Sequence, residues 1–96
     1  DEEYLAILTE TLPKLIDTHK PDFIFYLSGV DILATDKLGK LGCTIVGCKQ
    51  RDEIVLSTCH KLSIPVQCSM GGGYSPDIKT IIEAHANTYR VAAGIF

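Results

Sequence analysis

Two short apolar runs constrain this chain more than any other feature. Asp22-Phe-Ile-Phe-Tyr-Leu27 leads straight into Ser28-Gly29-Val30-Asp31, and Ile64-Pro-Val-Gln-Cys-Ser69 is followed by Gly71-Gly72-Gly73-Tyr74. Nearly continuous hydrophobic runs of this length are the pattern of strands covered on both faces, as in parallel sheets, and the early Pro65 is tolerated at a strand start. Between them, Ile54, Val55, Cys59 and Leu62 form one helical stripe over Arg51–Leu62, with Cys48 to Gln50 as its expected beginning. A strand, a helix and a second strand read as a parallel βαβ crossover.

Helices flank this unit. Leu5, Leu8, Leu12, Leu15 and Ile16 recur at helical spacing between Glu3 and His19, although Pro13 should kink that helix or mark a boundary in it. After the glycine triplet, Ser75 is expected to cap a last helix with Pro76 in its first turn, ahead of a stripe that includes Ile78, Ile81, Ile82 and His85. The segment from Ser28 to Gly47 has no regular period and reads as a functional loop. Parallel strands with continuous apolar faces want more neighbours than two. The expected fold class is therefore α/β, a parallel βαβ unit with flanking helices that forms part of a larger sheet, and residues 1–96 are read as one unit of it.

Composition excludes several function classes. Nine Lys and Arg against twelve Asp and Glu give a net charge of −3, with no basic stripe, so direct nucleic-acid binding is not expected. No apolar stretch approaches the roughly 18 residues that suggest a membrane span, and no signal-peptide pattern opens the chain; a soluble, cytoplasmic location is expected. The first residue is Asp1 and Met70 is the one methionine, so residues preceding Asp1 are expected in the natural protein. Cys43, Cys48, Cys59 and Cys68 show no CxxC pairing, and His19, His60 and His85 no ligand spacing; all seven are read as structural.

The candidate chemistry lies at the strand ends, where open α/β sheets bind ligands. Asp31 offers a carboxylate competent for Zn²⁺ or a harder divalent ion, or else it caps the loop or pairs with a Lys or Arg. Tyr74, held by a glycine turn, offers a phenol that can donate to a developing oxyanion, or else it packs over a helix start. Asp36 reads as solvated surface. The glycine triplet lacks the spacing of a phosphate loop.

Taken in order, Pro21 to Asp31, Asp36-Lys-Leu-Gly39, Arg51-Asp52-Glu53, Pro65-Val and Gly71-Gly-Gly-Tyr74 resemble the C-terminal third of the histone deacetylase family, of the three-layer α/β/α arginase/deacetylase fold, nearest its bacterial and class IV-like branch. The resemblance implies a zinc-dependent hydrolase of N-acetyl-lysine or a related acetyl-amine, such as a polyamine or small metabolite. It implies that Asp31 is a zinc ligand, Tyr74 the catalytic hydroxyl, and Gly72 and Gly73 part of the substrate tunnel. The family's paired histidines and its Asp-x-His have no counterpart here, so the chain alone is expected to be inactive and to bind zinc poorly. A truncated sheet is expected to self-associate through its exposed edge. The alternative of another class is a self-standing α/β module holding a small anion at the start of the last helix.

Overall fold

The computed structural model describes residues 1–34, 42–72 and 77–96. Its elements are α1 (Glu2–His19), β1 (Ile24–Leu27), α2 (Ile45–Lys61), β2 (Val66–Ser69) and α3 (Ile78–Ile95). The two strands pair in parallel, in the register Ile24 to Val66 through Leu27 to Ser69. A parallel pair joined through a helix is the βαβ unit expected from the apolar runs, and α2 packs between α1 and α3. Among the described residues, no helix is long and apolar enough to cross a membrane.

Three local features differ from the sequence reading. Pro13 lies within α1 without ending it. It sits on an exposed side of the helix, where the carbonyl deprived of an amide partner remains open to water. The start of α2 is Ile45, ahead of Cys48 to Gln50, because the Thr44 hydroxyl accepts the Gly47 N–H at 3.0 Å as an N-cap. The Asp1 carboxylate fixes that cap in turn, accepting the Thr44 N–H at 2.7 Å and its hydroxyl. Finally, α3 is capped by Asp77, not by Ser75: the Asp77 carboxylate accepts the Lys79 N–H at 3.0 Å and the Thr80 hydroxyl at 3.2 Å. Ser75 and Pro76 themselves lie outside the described residues.

The core gathers around the segment that follows β1. Val30, Ile32 and Leu33 are buried together with Cys43, Cys48 and Ala84, and Tyr4, Ile45 and Ile81 pack against them. Leu33 and Cys43 form an isolated bridge, with Ala34 N–H donating to the Cys43 carbonyl at 2.9 Å and Cys43 N–H to that of Ile32 at 3.0 Å. The loop after β1 is thus anchored by its own apolar side chains, at Val30, Ile32 and Leu33.

Coverage of the sheet corrects one expectation. The run Phe23–Leu27 suggests a strand covered on both faces, yet Phe25 is 71% and Leu27 78% exposed. Side chains alternate along a strand, so these two share a face with Phe23, while Tyr26 points the other way and reaches α2. The chain supplies helices to the Tyr26 side and leaves the Phe25 side bare. This bare face is where a larger α/β/α sheet would receive its third layer.

Candidate functional site

The strand pairing continues past Leu27 and Ser69 and aligns the two motifs. Ser28 N–H donates to the Ser69 carbonyl at 2.9 Å, its hydroxyl reaches the same oxygen at 3.1 Å, and Val30 N–H donates to the Gly71 carbonyl at 3.0 Å. These bonds carry Gly29-Val30-Asp31 alongside Met70-Gly71-Gly72 at the carboxyl ends of the strands. A pocket of about 530 Å³ opens there, lined by Asp31, Gly29, Gly71, Gly72, Tyr26 and Arg51 among others.

Asp31 is exposed to this pocket, and two glycines pack close against it. Gly72 has φ +69°, and a Cβ there would stand 3.0 Å from both the Cβ and the backbone N of Asp31. A Cβ on Gly29 would come within 2.9 Å of Asp31 Oδ1 and 3.4 Å of the Gly71 carbonyl oxygen. Missing side chains at these positions let the two backbones close on the carboxylate, and the left-handed conformation of Gly72 is one that glycine adopts without penalty. The sequence-level candidates Asp31 and Gly72 therefore meet. Gly73, Tyr74 and Asp36 lie outside the described residues.

A buried polar network holds the Asp31 segment in place. Arg51, 4% exposed, donates through Nη1 to the Gly29 carbonyl and through Nε and Nη2 to Asp52 Oδ1 at 3.1 and 2.9 Å. Asp52, fully buried, also accepts the Tyr26 hydroxyl at Oδ1 and the Thr88 hydroxyl at Oδ2, the latter at 2.6 Å. The Arg51 guanidinium lies over the Tyr26 ring, 5.6 Å from its centroid. One network thus ties β1, α2, α3 and the peptide two residues before Asp31. Burial is the main cause raising the Tyr26 pKa, against the opposing pull of Arg51, and the bond to Asp52 adds to it. Burial disfavours the Arg51 charge, but Tyr26 and Asp52 outweigh it, so arginine stays protonated.

Sequence reasoning used Arg51-Asp52 as letters of a motif and missed their burial. The signal was available: Cys48, Arg51, Asp52, Val55 and Cys59 follow one helical face, all buried, while Leu62 of the expected stripe is exposed. A charged pair on an apolar stripe is a buried pair in waiting.

The other titratable groups fit structural roles. Cys43, Cys48 and Cys59 are buried free thiols and Cys68 is half-buried; burial is the main cause pushing Cys48, Cys59 and Cys68 toward the protonated form. Burial also lowers the pKa of His85. Among the described residues, no three His, Cys, Asp or Glu side chains gather into a metal site. Asp31 fits a metal as one oxygen donor at the edge of an open pocket, whereas catalytic zinc takes about three protein ligands. Among the described residues, Asp31 is the one carboxylate lining this pocket.

The histone deacetylase domain model matches residues 1–89. An uncharacterized protein of Picosynechococcus sp. is 41% identical over 96 residues, the whole of this chain and 32% of the relative. Histone deacetylase 2 of Arabidopsis thaliana is 33% identical over 81 residues, 84% of this chain and 21% of that protein. The chain accordingly spans about a third or less of the length of these relatives. With a parallel βαβ unit and a domain match over nearly all of its residues, the chain belongs to the histone deacetylase family.

Proposed function

We propose that this chain is the part of a zinc-dependent deacetylase that supplies one metal ligand, Asp31, and the hydroxyl of Tyr74, to the hydrolysis of an N-acetyl amine. The observation that carries the reading is the seating of the Asp31 carboxylate against Gly29 and Gly72 in a pocket at the carboxyl ends of two parallel strands. When bound, zinc would polarise the amide carbonyl and activate water. The Tyr74 phenol donates a hydrogen bond to the oxygen on which negative charge develops. Gly72 and Gly73 keep the tunnel wall free of side chains, so that an acetyl group on a slender amine can approach. Acetyl-lysine in a protein, an acetylated polyamine and a small acetylated metabolite all present that group.

One carboxylate does not hold catalytic zinc, so the chain on its own is inactive on this reading. Taken alone, it self-associates through the bare Phe25–Leu27 face and the adjoining strand edge. Free cysteines in a mostly buried set suit a reducing, cytoplasmic compartment. The alternative of an anion-binding module is weakened at its own site, because the Asp77 carboxylate already accepts the Lys79 N–H and the Thr80 hydroxyl in the first turn of α3 and brings negative charge there.

The test separates the two side chains in the complete deacetylase domain that carries this chain. Asp31→Ala should deplete bound zinc, measured by elemental analysis. Tyr74→Phe should keep its zinc and lose about 10²–10³-fold in kcat. Equal zinc loss in both variants, or full zinc content in Asp31→Ala, would refute the assignment.

A further inference from the structure

We propose that Arg51 is a positioning residue for the Asp31 carboxylate, acting through the backbone of Gly29. The proposal rests on the reading of Asp31 as a metal ligand and assigns the group that sets its orientation. Two successive backbone groups ahead of Asp31 are pinned from opposite sides. Arg51 Nη1 donates to the Gly29 carbonyl, and Val30 N–H donates to the Gly71 carbonyl at 3.0 Å. Val30 is itself fully buried. The peptide that delivers Asp31 to the pocket is therefore clamped between α2 and the turn after β2, with Gly72 pressed against its far side.

The clamp is itself held. Arg51 commits Nε and Nη2 to Asp52, and Asp52 is fixed by the hydroxyls of Tyr26 and Thr88. Nη1 is left pointing along the remaining arm of a planar fork, toward Gly29. Lysine preserves the charge but presents it as a single point, and cannot engage Asp52 through two nitrogens while reaching the carbonyl with a third. Nothing in an exposed or solubilising role would place an arginine at 4% exposure beneath the pocket wall. A merely structural Arg51 would hold α2 to β1 without altering how tightly or in what geometry the pocket takes a metal, and this difference is measurable.

The experiment uses Co²⁺ as the metal probe in the complete domain, comparing wild type with Arg51→Lys, Asp31→Ala and Val91→Ala. Val91 is buried in α3 and serves as a destabilising control that takes no part in the clamp. Affinity is read by competition with a chelator, and site geometry by the visible absorption of bound Co²⁺, both well below the unfolding temperature. Partners that orient a ligand typically change metal affinity by about 10–100-fold when lost. Arg51→Lys is expected to lose affinity in that range and to shift the Co²⁺ spectrum, while Val91→Ala lowers thermal stability with affinity and spectrum unchanged. Wild-type affinity and spectrum in folded Arg51→Lys would overturn the positioning role while leaving Asp31 a ligand. Wild-type Co²⁺ affinity in Asp31→Ala would instead overturn the ligand reading and the proposal with it. Should Arg51→Lys not fold, Asp52→Asn loosens the same clamp from behind, and an unchanged spectrum there would overturn the proposal equally.

Discussion

Replacing Asp52 by leucine tests the buried network most severely. Asp52 is fully buried and accepts hydrogen bonds from Arg51 Nε and Nη2, from Tyr26 and from Thr88. Without the carboxylate, the Arg51 guanidinium is left charged and buried, and breaking a buried pair in this way costs about 3–5 kcal/mol. Thr88 can turn its hydroxyl to a carbonyl one helical turn back, whereas the stranded Tyr26 hydroxyl adds about 1 kcal/mol. The total of about 4–6 kcal/mol rivals the stability that 96 residues contribute at about 0.05–0.15 kcal/mol each. Arg51→Met strands the opposite charge, but Tyr26 and Thr88 still donate to it, so about 3 kcal/mol is expected. Removing both charges in Arg51→Met/Asp52→Leu eliminates the uncompensated ion altogether. The double variant should therefore be more stable than Asp52→Leu alone, which requires a coupling energy between the sites larger than the cost of about 3 kcal/mol of Arg51→Met. Urea midpoints for the four proteins, at fixed pH and zinc concentration, give the cycle. Effects that add to within about 0.5 kcal/mol would refute the interaction.

The folded-state pKa of Tyr26 lies above its ordinary value, chiefly through burial. Its contribution to stability is then fully present below about pH 10 and is lost as pH rises through the folded value, at up to about 1.4 kcal/mol per pH unit; Tyr26→Phe should flatten that alkaline slope, and an identical slope would count against it. For the chain studied alone, sedimentation should show concentration-dependent association that Phe25→Lys with Leu27→Lys weakens; a strict monomer at high concentration would remove the case for pairing through that face.

The order and type of the elements were legible because two signals agreed at each place. Apolar runs marked β1 and β2, and the glycine motifs marked their ends. Helix starts were less legible because caps are single side chains whose role depends on local geometry. Thr44 stands before a segment containing Gly47, which hides the helix, and Asp77 competes with a Ser75-Pro76 pair that looks equally good on paper. The meeting of Asp31 with Gly72 was legible at the level of strand ends, since parallel strands place their following turns side by side. Nothing in residue type, by contrast, distinguishes a buried arginine from a solvated one. Only the helical phase of Arg51 and Asp52 with Cys48, Val55 and Cys59 does so.

That phase also explains why the charge pair and the bare sheet face belong to one design. On the side of β1 that α2 covers, Tyr26 ends in a polar atom, and the covering helix answers it with Asp52, which then requires Arg51. On the other side, Phe25 and Leu27 carry no polar group and await only apolar cover. The covered side is thus specific in register and holds the Asp31 peptide to a fixed geometry, while the bare side asks only for hydrophobic area. On the proposed reading, the two deficits of the chain, one ligand where about three are needed and one sheet face uncovered, have the same remedy. A segment that buries Phe25 and Leu27 while delivering the remaining ligands to the strand ends would meet a carboxylate already positioned by Arg51, so the metal geometry would be set from this side before the partner segment arrives.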